Sequence, residues 1–232
     1  MSLRLHWSPD SANLPVRIAL EMFGLPYEAI RVDRAAKEHH SAEYLEKNPQ
    51  GLIPVLEDGE LAIFETGAIL WHLAQKVEKF GPNGPLMSDD AARSAALSWI
   101  FYLSNTVHAD LRIGFNPQRY VQGGECTGQL CEGVANRMQG HFDLIEGSGL
   151  MGQSTTLPEI YLAALVRWAQ LYPRNRPIIA DLDRWSSIQE MCVRVESNAA
   201  ARRAFAAESI PQDQAITSPR LPDLPLSQIT GI

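Results

Sequence analysis

Residues 48–70 read NPQGLIPVLEDGELAIFETGAIL. Val55-Leu56-Glu57, an Asp58-Gly59 turn and Leu61 to Phe64 spell a hairpin, because Asp-Gly between apolar runs supplies the backbone angles of a tight reversal. The strongly apolar run from Thr66 to Val77 then predicts a buried helix. Before this stretch, SAEYLEKN predicts a short helix capped by Ser41 and ended ahead of Pro49, since the residue before a proline avoids helical angles. YEAIRV reads as a strand. PVRIALEMFG recurs at helical spacing through Val16, Ala19, Leu20 and Phe23, and Gly24 supplies the stop. LRLHW, Leu3 to Trp7, alternates as a strand does. The order is βαβαββα with the last two strands antiparallel, a small mixed α/β unit over residues 1–79.

Beyond it, EKFGPNGPLMSDD has two Gly-Pro-type turns and no periodicity, which marks residues 80–87 as a linker. Residues 88–210 then read as all-helical. Ser88-Asp89-Asp90 is a cap for a long helix to about Ile113, and further helices are expected over Leu130 to Glu146, TLPEIYLAALVRWAQLY, Leu182 to Val195 and Ala199 to Ala207. Thr156 and Glu159 have the spacing of a capping box, a folding signal. The Pro-rich residues 211–232 are either disordered or laid along the surface as a strap.

A chain of 232 residues suffices for one large domain or two small ones. Its net charge of −7 argues against a nucleic-acid partner, which wants clustered Lys and Arg. No apolar run reaches membrane-spanning length, and MSLRLHWSPD lacks the apolar core of a signal peptide. Cys126, Cys131 and Cys192 lack zinc-site spacing, and the first two sit in a Gly-rich stretch read as a loop. They are expected to be reduced, structural cysteines in a cytoplasmic protein, with no metal site.

Two short elements carry chemistry. An X-Pro bond is the one place where a cis peptide costs only about 0.5–1 kcal/mol. A cis Ile53-Pro54 at a strand entry would present the backbone of Ile53 outward to pair with an extended peptide; an ordinary trans proline is the alternative. Thr66 is a good N-cap, and the N–H groups behind it suit an anion, while Glu65 suits an ammonium. Together they fit the charged end of an amino acid; a solvated Glu beside a plain cap is the alternative.

NPQGLIPVLEDG and FETGAIL, preceded by SPDSANLPVRIALEMFGLPYE, resemble the cytosolic glutathione transferase family, closely over residues 3 to about 77. SNTVHADLRIGF and TLPEIYLA follow the same plan more loosely. The resemblance implies a thioredoxin-like N-terminal domain that holds glutathione, an all-helical C-terminal domain that walls the electrophile pocket, and a homodimer. It also implies that Ile53 pairs with the cysteinyl backbone beside a cis Pro54, and that Glu65 and Thr66 hold the γ-glutamyl end. His39, or His40 beside it, would lie near the glycyl carboxylate. Glutathione would be a co-substrate, with no tightly bound cofactor, and the second substrate a small hydrophobic electrophile.

Catalysis in such a site needs the thiolate. Lowering a thiol pKa by two units from about 8.5 takes roughly 2.7 kcal/mol of preference for the anion. One hydroxyl donor contributes about 1.5–3 kcal/mol and a helix N-terminus roughly 0.3–1. The family keeps this donor between the first strand and helix. Its tyrosine is missing here and Ala12 stands at its cysteine position. Ser11 is the leading donor, Asn13 the second or simply an N-cap, with Ser8 and bare backbone N–H groups as alternatives. Without a cysteine, direct attack by bound thiolate is favoured over mixed-disulfide exchange.

In the helical half, Tyr102, Asn105 and His108 fall near one helix face and are candidates for the electrophile pocket. Arg167, Trp168 and Tyr172 read more readily as core or interface. A peroxidase or isomerase on the same scaffold uses the same thiolate. A non-catalytic binding protein that has kept the fold is the other alternative.

Overall fold

The computed structural model describes residues 3–78, 89–152, 154–174, 177–179 and 182–225. Four strands, β1 (Leu3–Trp7), β2 (Tyr27–Arg31), β3 (Val55–Asp58) and β4 (Leu61–Phe64), form one sheet in the order β2-β1-β3-β4. β1 runs parallel to β2, and β3 is antiparallel to both β1 and β4. The parallel pair requires a crossover, supplied by α1 (Leu14–Phe23). This helix stops where Gly24 takes a left-handed φ of 64° and its N–H closes back on the last turn. α2 (Ala42–Lys47) opens with the Ser41 hydroxyl accepting from the Tyr44 N–H at 3.2 Å. α3 (Thr66–Glu78) closes the βαβαββα order. The hairpin turn sits one residue later than expected: Asp58 pairs with Leu61, so Gly59, at φ 68°, and Glu60 make the reversal.

The linker assigned to residues 80–87, and Ser88, lie outside the described residues. The helical half contains α4 (Asp90–Tyr102), α5 (His108–Phe115), α6 (Gly124–Glu146), α7 (Leu157–Leu171), α8 (Ser186–Ser197) and α9 (Ala199–Ala207). No described helix is long and apolar enough to cross a membrane. The expected single helix to Ile113 is α4 and α5 joined end to end by a π-helical turn, Leu103–Val107. α4 is capped by the Asp89 carboxylate, which accepts from the Ala92 N–H at 2.8 Å.

α6 begins six residues earlier than the apolar pattern suggests, so Cys126 and Cys131 lie on a helix rather than in a loop. Its buried residues Val134, Met138, Phe142 and Ile145 anchor the later turns against the core. Once those turns exist, extension adds one hydrogen bond per residue with no further nucleation cost. A Gly-rich, solvent-facing stretch can then stay helical. α7 begins with Glu159 reaching back to the Thr156 N–H at 2.6 Å, as the capping spacing required.

One apolar core runs through both halves, from Leu3 and Leu5 on β1 to Ala215 and Ile216 beyond α9. α1 sits at its centre, with Leu14, Val16, Ile18, Ala19 and Leu20 fully enclosed. It packs on α3, α7 and α9, which explains its nearly all-round apolar sequence. Residues 211–225 follow the strap alternative. The Glu196 carboxylate gathers the N–H groups of Ala215 and Ile216, both at 2.7 Å, and the Thr217 hydroxyl. Gln170 donates to the Ile216 carbonyl at 2.8 Å.

Candidate functional site

Where the C-terminal end of β1 meets the helical half, an open cleft of about 710 Å³ runs between the NPQGLIP loop and α5. One wall is built by Asn48. Its carbonyl accepts the Gly51 N–H, its side-chain oxygen accepts the Gln50 N–H, and its amide donates to the Leu52 carbonyl at 2.8 Å. The Tyr44 hydroxyl donates to the same carbonyl, also at 2.8 Å. Gly51 has φ 62°, and a Cβ there would lie 2.7 Å from the His40 ring, so the loop requires glycine. With Leu52 clamped, Ile53 follows just outside the strand register, whose last pair is His6–Val55. The Ile53-Pro54 peptide is cis, and neither the N–H nor the C=O of Ile53 bonds to a described residue.

Glu65 is exposed at φ 71°, an uncommon conformation for a side-chain-bearing residue and one that clusters at functional sites. Its carboxylate accepts from the Gln50 amide at 3.0 Å, and its carbonyl accepts the Ile69 N–H. Glu65 therefore holds the N-cap position expected of Thr66. The Thr66 hydroxyl instead donates to the Ala12 carbonyl at 3.0 Å, tying the start of α3 to the β1–α1 loop. His39 and His40 both line the cleft, rings 4.1 Å apart. Burial, then the neighbouring His40 and Arg34, pushes the His39 imidazole below its ordinary pKa.

Ser11 and Ala12 face the cleft; Asn13 does not and is fully buried. The Asn13 oxygen accepts from the Ser8 N–H at 3.0 Å and from the Ser11 hydroxyl at 2.5 Å, while its amide donates to Glu208 at 2.6 Å. Both ends of Asn13 are thus committed inside the protein, and neither caps α1 through its side chain. The Ser11 hydroxyl has a second acceptor, the Ser8 carbonyl at 3.0 Å. The N–H groups of Ser11 and Ala12, at the mouth of α1, donate to no described residue.

Behind this loop lies a polar network whose connections sequence reasoning left unassigned, although it placed Arg167, Trp168 and Tyr172 in the core or an interface, and all three are buried. Asp10, at φ 49° and 1% exposed, accepts Arg167 in a two-pronged ion pair at 2.9 and 3.0 Å. Trp168 and Tyr172 donate to the same carboxylate, each at 3.0 Å. The Asp10 N–H donates to Glu208 at 3.0 Å, and Arg17 pairs with Glu208 at 3.0 Å. Burial pushes the Glu208 carboxyl up to about 7, against the pull of Arg17 and the Asp10 amide. Arg167 also donates to the carbonyls of Ala215 and Arg220, which fastens the strap to the back of the loop. Asp in a left-handed turn is a signal that sequence offers; its partners more than 150 residues away are not.

In the helical half only part of the expected set reaches the cleft. His108 does, with Nδ1 2.8 Å from the Tyr161 hydroxyl and its ring against Trp168. Burial pushes its pKa down to about 4, so the ring is neutral. Tyr102 and Asn105 are not in the lining. The Tyr102 hydroxyl meets His141 Nδ1 at 2.7 Å, and His141 is in turn held by Asp110 at 2.9 Å. Asn105 is exposed and accepts from the Ser104 hydroxyl at 3.1 Å. Residues 102 and 108, six apart, already lie about 120° from each other on a regular α-helix, and the π turn Leu103–Val107 shifts the winding further. Ser104, Arg112 and Phe115 line the cleft instead, with Gln50, Arg34 and Lys37 on the opposite wall. Among the described residues no group of three or more His, Cys, Asp or Glu is arranged to hold a metal ion.

A thioredoxin-like sheet domain joined to a helical domain, with its cleft at the first strand–helix loop, defines a class that the comparisons also reach. Residues 1–75 match the model of the glutathione S-transferase N-terminal domain. A zeta-class glutathione S-transferase of Euphorbia esula is 38% identical over 180 residues, covering 70% of this chain and 71% of the relative. A glutathione S-transferase of Xanthomonas campestris is 25% identical over 215 residues, 90% of this chain and 100% of the relative. The crystal structure of a Sulfitobacter glutathione transferase homologue with bound glutathione superposes with a TM-score of 0.77 at 24% identity. That match covers 89% of this chain and 98% of the other, and it bears on the fold. The chain belongs to the glutathione S-transferase family.

Proposed function

We propose that the cleft binds glutathione in extended form and transfers its thiolate to a small electrophile. The observation that carries this reading is a complementary set of groups along one groove. The unbonded N–H and C=O of Ile53 suit the cysteinyl backbone. Glu65 suits the γ-glutamyl ammonium, and the N-terminus of α3 the adjoining carboxylate. His39, His40 and Lys37 suit the glycyl carboxylate. The sulfur then falls at the mouth of α1, where the N–H groups of Ser11 and Ala12 and the Ser11 hydroxyl can stabilise an anion. Asn13 acts as a positioning residue that holds Ser11.

In the reaction the thiolate electron pair forms the C–S bond. The pair of the displaced bond departs with the leaving group or, after addition to an activated alkene, takes up a proton. The family expectation is a homodimer in the cytoplasm. The test is absorbance titration of glutathione bound to the protein. A thiol pKa about two units below that of free glutathione is expected, and Ser11→Ala should raise it by a unit or more. An unshifted pKa in the unaltered protein would overturn the transferase reading.

One observation favours a second reading, a glutathione-binding protein without chemistry: the Ser11 hydroxyl already has two acceptors in the protein. The same titration separates the two readings.

A further inference from the structure

The wall facing the thiolate carries charge that the glutathione-binding groups leave unused. Arg112 lies one turn after His108 on α5 and lines the cleft with Phe115; Arg119, in the turn that follows α5, lines it too. Neither side chain makes an ion pair or hydrogen bond with a described residue. Arg112 shares α5 with His108, four residues on, and Tyr161 lines the cleft with them, whereas Arg119 stands beyond the helix in the turn Pro117–Arg119. Across the lining, Lys37, Arg112 and Arg119 face a single carboxylate, Glu65, that is not ion-paired to a described residue, because Asp10 is held by Arg167. In a chain of net charge −7 this excess is local to the cleft.

Two unpaired guanidinium groups beside a neutral imidazole and two aromatic rings make a poor receptor for a wholly apolar molecule. They make a good one for a flat, unsaturated or aromatic molecule bearing a carboxylate, with the ring against the half-buried Phe115 and the anion on a guanidinium fork. Resting on the glutathione-binding reading above, we infer that the second substrate is an anionic electrophile and that Arg112 is the residue that selects it. This replaces the purely hydrophobic electrophile expected from the family resemblance.

Binding of conjugates tests this without requiring turnover. The full chain is titrated calorimetrically at low ionic strength with S-methylglutathione, S-(para-carboxybenzyl)glutathione and S-(para-methylbenzyl)glutathione. The carboxylated conjugate should bind about tenfold tighter than its methyl counterpart. Arg112→Gln should abolish that difference, Arg112→Lys should restore part of it, and S-methylglutathione affinity should stay constant throughout. Equal affinity for the two benzyl conjugates would overturn the inference, as would a preference that survives Arg112→Gln. Loss of S-methylglutathione binding in Arg112→Gln alone would reassign the residue to glutathione itself and likewise overturn it. Failure of the unaltered chain to bind S-methylglutathione would instead strike the underlying reading, and this inference with it.

Discussion

Glu65 illustrates how a single residue serves two purposes. Its carbonyl opens α3, while its left-handed backbone turns the carboxylate out over the cleft, where among the described residues only the Gln50 amide hydrogen-bonds to it. Removing that carboxylate leaves no buried partner unsatisfied and changes no packing. Glu65→Ala should therefore weaken glutathione binding at least tenfold, on the scale of a charge-assisted hydrogen bond. Thermal stability should stay within about 0.5 kcal/mol of the parent. Calorimetric titration beside a melting curve checks both, and unchanged affinity would remove Glu65 from the site. That Glu65, Thr66, Ile53 and Ser11 lie along one cleft was legible because the motifs that hold them are local, although the N-cap expected of Thr66 falls to Glu65. Asn13 was legible as a position but not as a role: one residue apart in sequence from Ala12, it turns inward to meet Glu208.

At the scale of elements, the α4–α5 connection shows where periodicity fails. A reading at three-residue steps put Tyr102 and Asn105 near the His108 face, but those steps drift around the helix and the π-helical turn adds to the drift, so only His108 of the three lines the cleft. Nothing in LSNTV distinguishes a π turn from an α turn, because the extra residue is accommodated by packing rather than by composition. α5 also makes a pH prediction. The ordinary value near 6.5 applies to His108 in the unfolded chain, and burial pushes it down to about 4 in the fold. Between those values the unfolded state binds the proton and the native state does not, so stability falls as pH drops from about 6.5 to about 4. The slope attributable to this ring is at most about 1.4 kcal/mol per pH unit. Urea midpoints measured from pH 7 down to 4.5 should fall more steeply for the parent than for His108→Gln. Identical slopes would show that the ring is hydrated.

The whole molecule is joined more tightly than a two-domain sequence pattern conveys. The βαβαββα order and the helical run were readable from spacing and turn residues. That one core passes through both, and that β1–α1 is held from behind by Glu208 and Arg167, was not, because those contacts join residues more than 150 positions apart. Glu208 is the test at this scale. Fully enclosed, it is the ion-pair partner of Arg17, which is itself 2% exposed. Glu208→Ala strands that guanidinium and removes the acceptor of the Asn13 amide and the Asp10 N–H. A loss of about 3–5 kcal/mol is expected, as for other buried pairs broken on one side. Chemical denaturation would measure it, and a loss below about 1 kcal/mol would mean the pocket readily admits water.

The strap that Arg167 holds through the carbonyls of Ala215 and Arg220 orders events in time as well as in space. A ribosome releases Asp10 early but Glu208 only 198 residues later. The turn carrying Ser11 therefore stays unlocked until residues 208–220 have emerged and wrapped behind it. A nascent chain halted short of that point would carry its β1–α1 turn without the carboxylate that holds Asp10 and Asn13 from behind.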